Sequence, residues 1–136
     1  MTQEQVLGLF PEATKPSKPD DLDAGKELLR VPATELYGKQ FSAGFFFKKN
    51  KLVLVKLKPT EEMSETEAFT LYDTIYKDQL ATLGEPGYND QKSKTEGGTS
   101  TAMRANIWTT SIGRVVLIAF AKDGKMSFMH LIFDQD

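Results

Sequence analysis

The stretch 64–84, SETEAFTLYDTIYKDQLATLG, constrains the fold of this chain more than any other. Ser64 followed three residues later by Glu67 is a capping box, in which a hydroxyl and a carboxylate satisfy backbone N–H groups that the first helical turn leaves free. Phe69, Tyr72, Ile75, Tyr76, Leu80 and Leu83 then recur at three- and four-residue spacing, a stripe wide enough to cover a sheet. Gly84 and Pro86 stop the helix. A long amphipathic helix needs an apolar partner surface, and the rest of the chain is patterned mainly as strands.

Before that helix, residues 2–10 read as a short amphipathic helix, with Thr2 and Gln5 as a second capping box and Pro11 as the stop. Residues 12–25, rich in proline and acid, read as an exposed connector, and 28–37 as one edge strand. Residues 41–59 read as a hairpin. A three-residue loop, Lys49 to Lys51, sets Phe47 against Val53, Phe45 against Val55 and Ala43 against Leu57, leaving one apolar face. After the long helix, 85–100 predicts a mobile loop, because it holds four glycine or proline residues and little to bury. Residues 101–110 alternate, with Met103, Ala105, Ile107 and Thr109 opposite Arg104, Asn106, Trp108 and Thr110. The segments 115–121 and 126–133 are joined by Asp123 and Gly124, a strong hairpin signal. Simple pairing across that turn groups Val116, Ile118 and Phe120 with Ser127, Met129 and Leu131, and it groups Val115, Leu117 and Ala119 with Phe128, His130 and Ile132. Both faces are then apolar, which predicts cover on both sides of the sheet, by the long helix on one and by the N-terminal helix, a loop or a second subunit on the other.

The expected architecture is a single α+β domain over 1–136: an antiparallel sheet of about five to six strands, one long helix (64–83) packed across it, and a short N-terminal helix. A helix followed by strands occurs once in 1–60 and again in 64–136, a pattern suggesting an internal repeat.

Composition narrows the function classes. Of 136 residues none is cysteine, so disulfide scaffolds, thiol catalysis and cysteine zinc sites are excluded. The net charge of −2 argues against a dedicated nucleic-acid binder, and no apolar run reaches the length of a membrane span. No cofactor motif is present; Gly97 and Gly98 lack the Gly-Lys-Ser/Thr ending of a phosphate loop. The lone histidine, His130, has no nucleophile beside it, and Glu61, Glu62, Glu65 and Glu67 suit the positive end of a helix dipole rather than acid–base chemistry. Asp20, Asp21 and Asp23 lack the later glycine and glutamate of a calcium loop. The chain therefore reads as non-enzymatic and without a metal.

The segments VLGLFPEAT, FSAGFFFKKNKLVLVKL, the LGEP helix end and the strands around Trp108 together resemble small exported bacterial domains of the beta-lactamase-inhibitor-protein-like and outer-membrane-assembly-lipoprotein (SmpA/OmlA) type. That resemblance implies an α+β domain with helices on one side of an antiparallel sheet, acting by protein binding. The chain departs from those families in lacking a lipid-anchor cysteine, the lipoproteins' glycine-led start and the inhibitors' cysteines, so neither anchoring nor a particular partner is implied. A periplasmic or secreted location with a leader removed is the corresponding expectation, beside a cytoplasmic one.

Trp108 falls on the polar side of its strand with Arg104 and Asn106, a composition enriched where proteins bind one another. Lys56 and Lys58 belong to a hairpin that carries no acidic residue. These five residues form the expected contact surface of a protein-binding domain of accessory, inhibitor or immunity type, with a homodimer through the sheet as one form of partner. The alternative is a cystatin-like or nuclear-transport-factor-like domain, with a small apolar ligand held between Tyr72, Tyr76, Phe128 and His130.

Overall fold

A computed structural model describes residues 1–135. It corrects the expected architecture. The molecule is mostly sheet: eight antiparallel strands form one curled half-barrel, and only 19% of the chain is helical. The expectation of five to six strands failed because two segments rich in turn-forming and polar residues pair as strands. The elements are α1 (Gln3–Leu9), β1 (Asp21–Leu22), β2 (Gly25–Leu36), β3 (Lys39–Lys48), β4 (Lys51–Pro59), α2 (Glu65–Leu83), β5 (Tyr88–Glu96), β6 (Thr99–Thr110), β7 (Gly113–Lys122) and β8 (Lys125–Gln135). The strand order is β1-β2-β3-β4-β8-β7-β6-β5. Each helix thus precedes four strands, and the two sets of four meet where β4 pairs with β8 over Leu54–Leu57.

Both capping boxes form. Thr2 and Gln5 close the start of α1, and Ser64 and Glu67 close the start of α2. The buried side of α2 is Ala68, Leu71, Tyr72, Ile75 and Gln79, with Phe69, Tyr76 and Leu83 half-buried at its margins.

Register is set by bulges that alternation alone does not reveal. The β3–β4 turn is a two-residue turn, Lys49-Asn50, with both residues at positive φ and Lys48 opposite Lys51. Such a turn alone would slide every later pair. An irregularity between Phe46 and Phe47 absorbs one residue, so Phe45 still faces Val55 and Ala43 faces Leu57, while Phe47 pairs with Leu52. The β7–β8 hairpin turns at Asp123-Gly124 as expected, but here a bulge reverses the expected grouping. Ala121 pairs with Met126 and Phe120 with Phe128, so Met129 and Leu131 share a face with Ala119 and Leu117, while His130 lies beside Ile118.

Segment 85–100, expected as a mobile loop, is instead mostly edge strand β5, paired with β6 from Tyr88–Ile107 to Glu96–Thr99, and Gly97-Gly98 is its hairpin turn. Its polar side chains signal an edge, where lysine discourages pairing with other chains. Strand β2 starts three residues before the edge strand expected over 28–37 and pairs with β1 as well as β3, with breaks in pairing near Leu28 and Pro32.

Both helices lie on one face of the sheet, so α1 does not supply the cover expected on the second side. Leu117, Leu131, Leu57 and Ala43 follow one another across neighbouring strands. Leu117 and Leu131 pack in the core under α2, whereas Ala43 packs with Val6 of α1, and Leu57 touches both clusters. On the opposite face, Phe46 is fully buried, Lys56 lies over its ring, and Lys56 Nζ donates to Asp20 Oδ2 at 2.9 Å.

Candidate functional site

Strand β6 alternates as the sequence reads, but its polar side is the one that α2 covers. Trp108 is 2% exposed; its Nε1 donates to the Gly84 carbonyl at 2.9 Å, and its ring centroid lies 5.8 Å from that of Tyr76. Asn106 is buried, accepting from the Tyr72 hydroxyl at 2.6 Å and donating to Asn89 Oδ1. Tyr72 also donates to the Leu117 carbonyl, and burial raises its hydroxyl well above the ordinary phenol range. The Arg104 guanidinium lies 4.3 Å from the Tyr72 ring centre and donates to Asp73 of α2. The expected contact surface of Arg104, Asn106 and Trp108 is therefore the joint between helix and sheet. A polar row can face a helix because every member finds a partner there, and no side-chain polar atom buried among the described residues lacks one.

Lys56 and Lys58 lie on the other face, so the five residues do not form one surface. The four residues of the expected ligand pocket are divided in the same way. Tyr72 and Tyr76 belong to α2 and pack between it and the sheet, while Phe128 and His130 face away from both helices, with ring centroids 5.1 Å apart. They cannot enclose one cavity.

The register assembles something the sequence pattern missed on that second face. Ile107, Val116 and Ile132 form one row across β6, β7 and β8; Ala105, Ile118 and His130 form the next; Met103, Phe120 and Phe128 form the third. Phe120 and Phe128 stack at 5.9 Å. Neither helix packs on this grid, and its residues other than Ala105 retain solvent exposure, Phe128 the most at 37%. Lys56 extends the first row on β4, and Tyr88 and Asp90 extend the first two on β5. Desolvation, with the nearby Lys56 and Lys58 charges adding to it, pushes the His130 imidazole down to about 4, so the grid is uncharged at neutral pH. The bulge near Ser127 is what gathers these residues, and a signal for it would have required knowing that the Asp-Gly turn is followed by an extra residue.

No group of three or more acidic, histidine or cysteine side chains among the described residues is arranged to hold a metal ion. Among the described residues no helix is long and apolar enough to cross a membrane. Comparison with protein-family models, with curated proteins and with solved structures gives no match.

Proposed function

We propose that the chain is a non-enzymatic protein-binding domain whose contact surface is the sheet face turned away from both helices. The single observation that carries this reading is the uncovered grid across β6, β7 and β8, centred on Ile118 and bordered by Lys56 and Lys58. At strand spacings of about 4.8 Å and about 6.8 Å between residues on one face, nine such positions cover roughly 300 Å² of sheet, the lower end of the largest apolar patch on an ordinary monomer, a patch that is often functional. Its flatness of chemistry suits a macromolecule. Among the described residues no acidic, histidine or cysteine cluster is arranged to hold a metal ion, and a neutral imidazole stacked on Phe128 serves contact without requiring a counter-charge. The resemblance to exported inhibitor and assembly domains supports the same class of activity, and an exported location belongs to the proposal.

The test is a photocrosslinking residue placed at Ile118 in the native source, with the same residue at exposed Thr74 of α2 as comparison. The expected result is a discrete adduct from position 118 alone, weakened by K56E/K58E; an adduct of twice the chain's mass would identify a second copy as the partner. Equal labelling from both positions, or none from 118, overturns the surface assignment.

A further inference from the structure

The helix-bearing face has a gap of its own, and it stands apart from the sheet-face reading. Across that face Phe45, Val55, Phe133, Val115 and Trp108 form one row through β3, β4, β8, β7 and β6. Phe45 is buried in the cluster with α1, and Val115 and Trp108 are buried in the cluster with α2. Phe133, at the centre of the row, is 38% exposed. It lies on the floor of a groove of about 560 Å³, walled by Gln79, Thr82 and Leu83 of α2 and by the β6–β7 turn with Ile112.

We infer that this groove binds an uncharged, elongated apolar molecule such as a single aliphatic chain. Three observations select that class. The volume lies in the range of small-molecule sites, about 300–1,000 Å³, and is too small for a folded partner. The floor is hydrocarbon: Leu52, Val55, Val115 and Phe133, with Leu83 above. The ionisable groups among the lining residues are Arg114 and Asp134, which neutralise each other at 2.7 Å, so a charged ligand would be desolvated with no counter-charge offered to it. A few neutral polar groups lie at the rim. Thr110 Oγ1 is engaged within its own turn with Gly113 and Ile112, and the Thr82 hydroxyl is bonded back to the Asp78 carbonyl. They favour no ionic headgroup.

The experiment is a fluorescence titration of the full chain with N-phenyl-1-naphthylamine, an uncharged apolar probe. Displacement is then measured with 1-dodecanol and with dodecanoate. The expected result is saturable binding, weakened at least tenfold by T82W, which fills the groove from an exposed helix position, and by F133D, which charges its floor. I118D, on the opposite face, leaves it unchanged, and 1-dodecanol displaces the probe at a concentration at least tenfold below dodecanoate. Circular dichroism melts confirm that each variant is folded; T82W, at an exposed site, keeps the test valid if F133D is not. Absence of saturable binding, or binding that T82W leaves intact, overturns the site. Displacement by dodecanoate as effective as by the alcohol overturns the ligand class. Loss of binding in I118D with retention in T82W would move the apolar site to the sheet face instead.

Discussion

Trp108 shows how a residue type that often marks binding surfaces can serve as a joint instead. Its ring fills space between β6 and the end of α2, and its one polar atom is used by the Gly84 carbonyl. Trp108→Phe keeps most of the apolar contact and removes the donor, leaving that carbonyl without its partner. Gly84 is exposed, so water can take the indole's place, and the expected cost is about 0.5–1.5 kcal/mol, read from urea unfolding at neutral pH. His130 is the other informative residue. Its folded-state value, about 4, lies below the ordinary 6.5, so protons favour the unfolded chain. This stability is therefore fully present above pH 6.5 and is lost as pH falls from 6.5 towards about 4. The expected measurement is a fall in urea midpoint between pH 7 and pH 4.5 that His130→Gln makes smaller; an equal fall in both proteins would place the pH sensitivity elsewhere. The Asp20 carboxyl, held below its usual range chiefly by the Lys56 hydrogen bond, titrates lower still and adds a separate loss in stronger acid.

Among the elements, the two helices were legible in sequence because capping boxes and apolar spacing are local signals, and Thr2, Gln5, Ser64 and Glu67 all act as their chemistry suggests. Strand existence was legible wherever side chains alternate between apolar and polar. What sequence hid was non-local. Strand β5 carries almost nothing to bury, so its strand character comes from pairing with β6 rather than from its own residues. The bulge in β8 reversed the sides assigned to Met129 and His130, since one extra residue turns every later side chain over. Deleting Ser127 tests this. Without that extra residue Met126 and Phe128 stand next to one another opposite Ala121 and Phe120, so the observed facing survives and the variant is expected to keep a cooperative thermal transition, whereas an alanine inserted after Phe128 would turn Met129 and Leu131 away from α2 and is expected to abolish it; a melt of the insertion variant close to that of the parent would show that register is set elsewhere. Glycine has a similarly local task at Gly113. Its φ of 151° and the nearby Asp134 carbonyl leave no place for a Cβ, which fixes how the β6–β7 turn enters β7 beside the groove.

For the whole molecule, the main question is whether the two helix-plus-four-strand halves act as one. The β4–β8 ladder that joins them is short, running over Leu54–Leu57, but Leu57 packs into the cores on both sides. A shared core residue couples the halves, so a single unfolding transition is expected by both fluorescence and circular dichroism. Leu57→Ala should lower stability by about 2 kcal/mol, the low end for a leucine that is only half-buried, while the transition stays single. Two separated transitions would show instead that each half carries its own stability. The candidate contact grid belongs to this scale as well, because it draws on strands of the second half, with lysines of the first half at its border. Sequence could propose an apolar sheet face. It could not say which face the helices would leave open, since that depends on α1 and α2 choosing the same side.

The clamped indole has a practical consequence. The chain holds only one tryptophan, and it sits where the last turn of α2 meets the sheet. Its emission colour is therefore a built-in optical gauge of that hinge, able to reveal loosening of the helix tail without any dye or label.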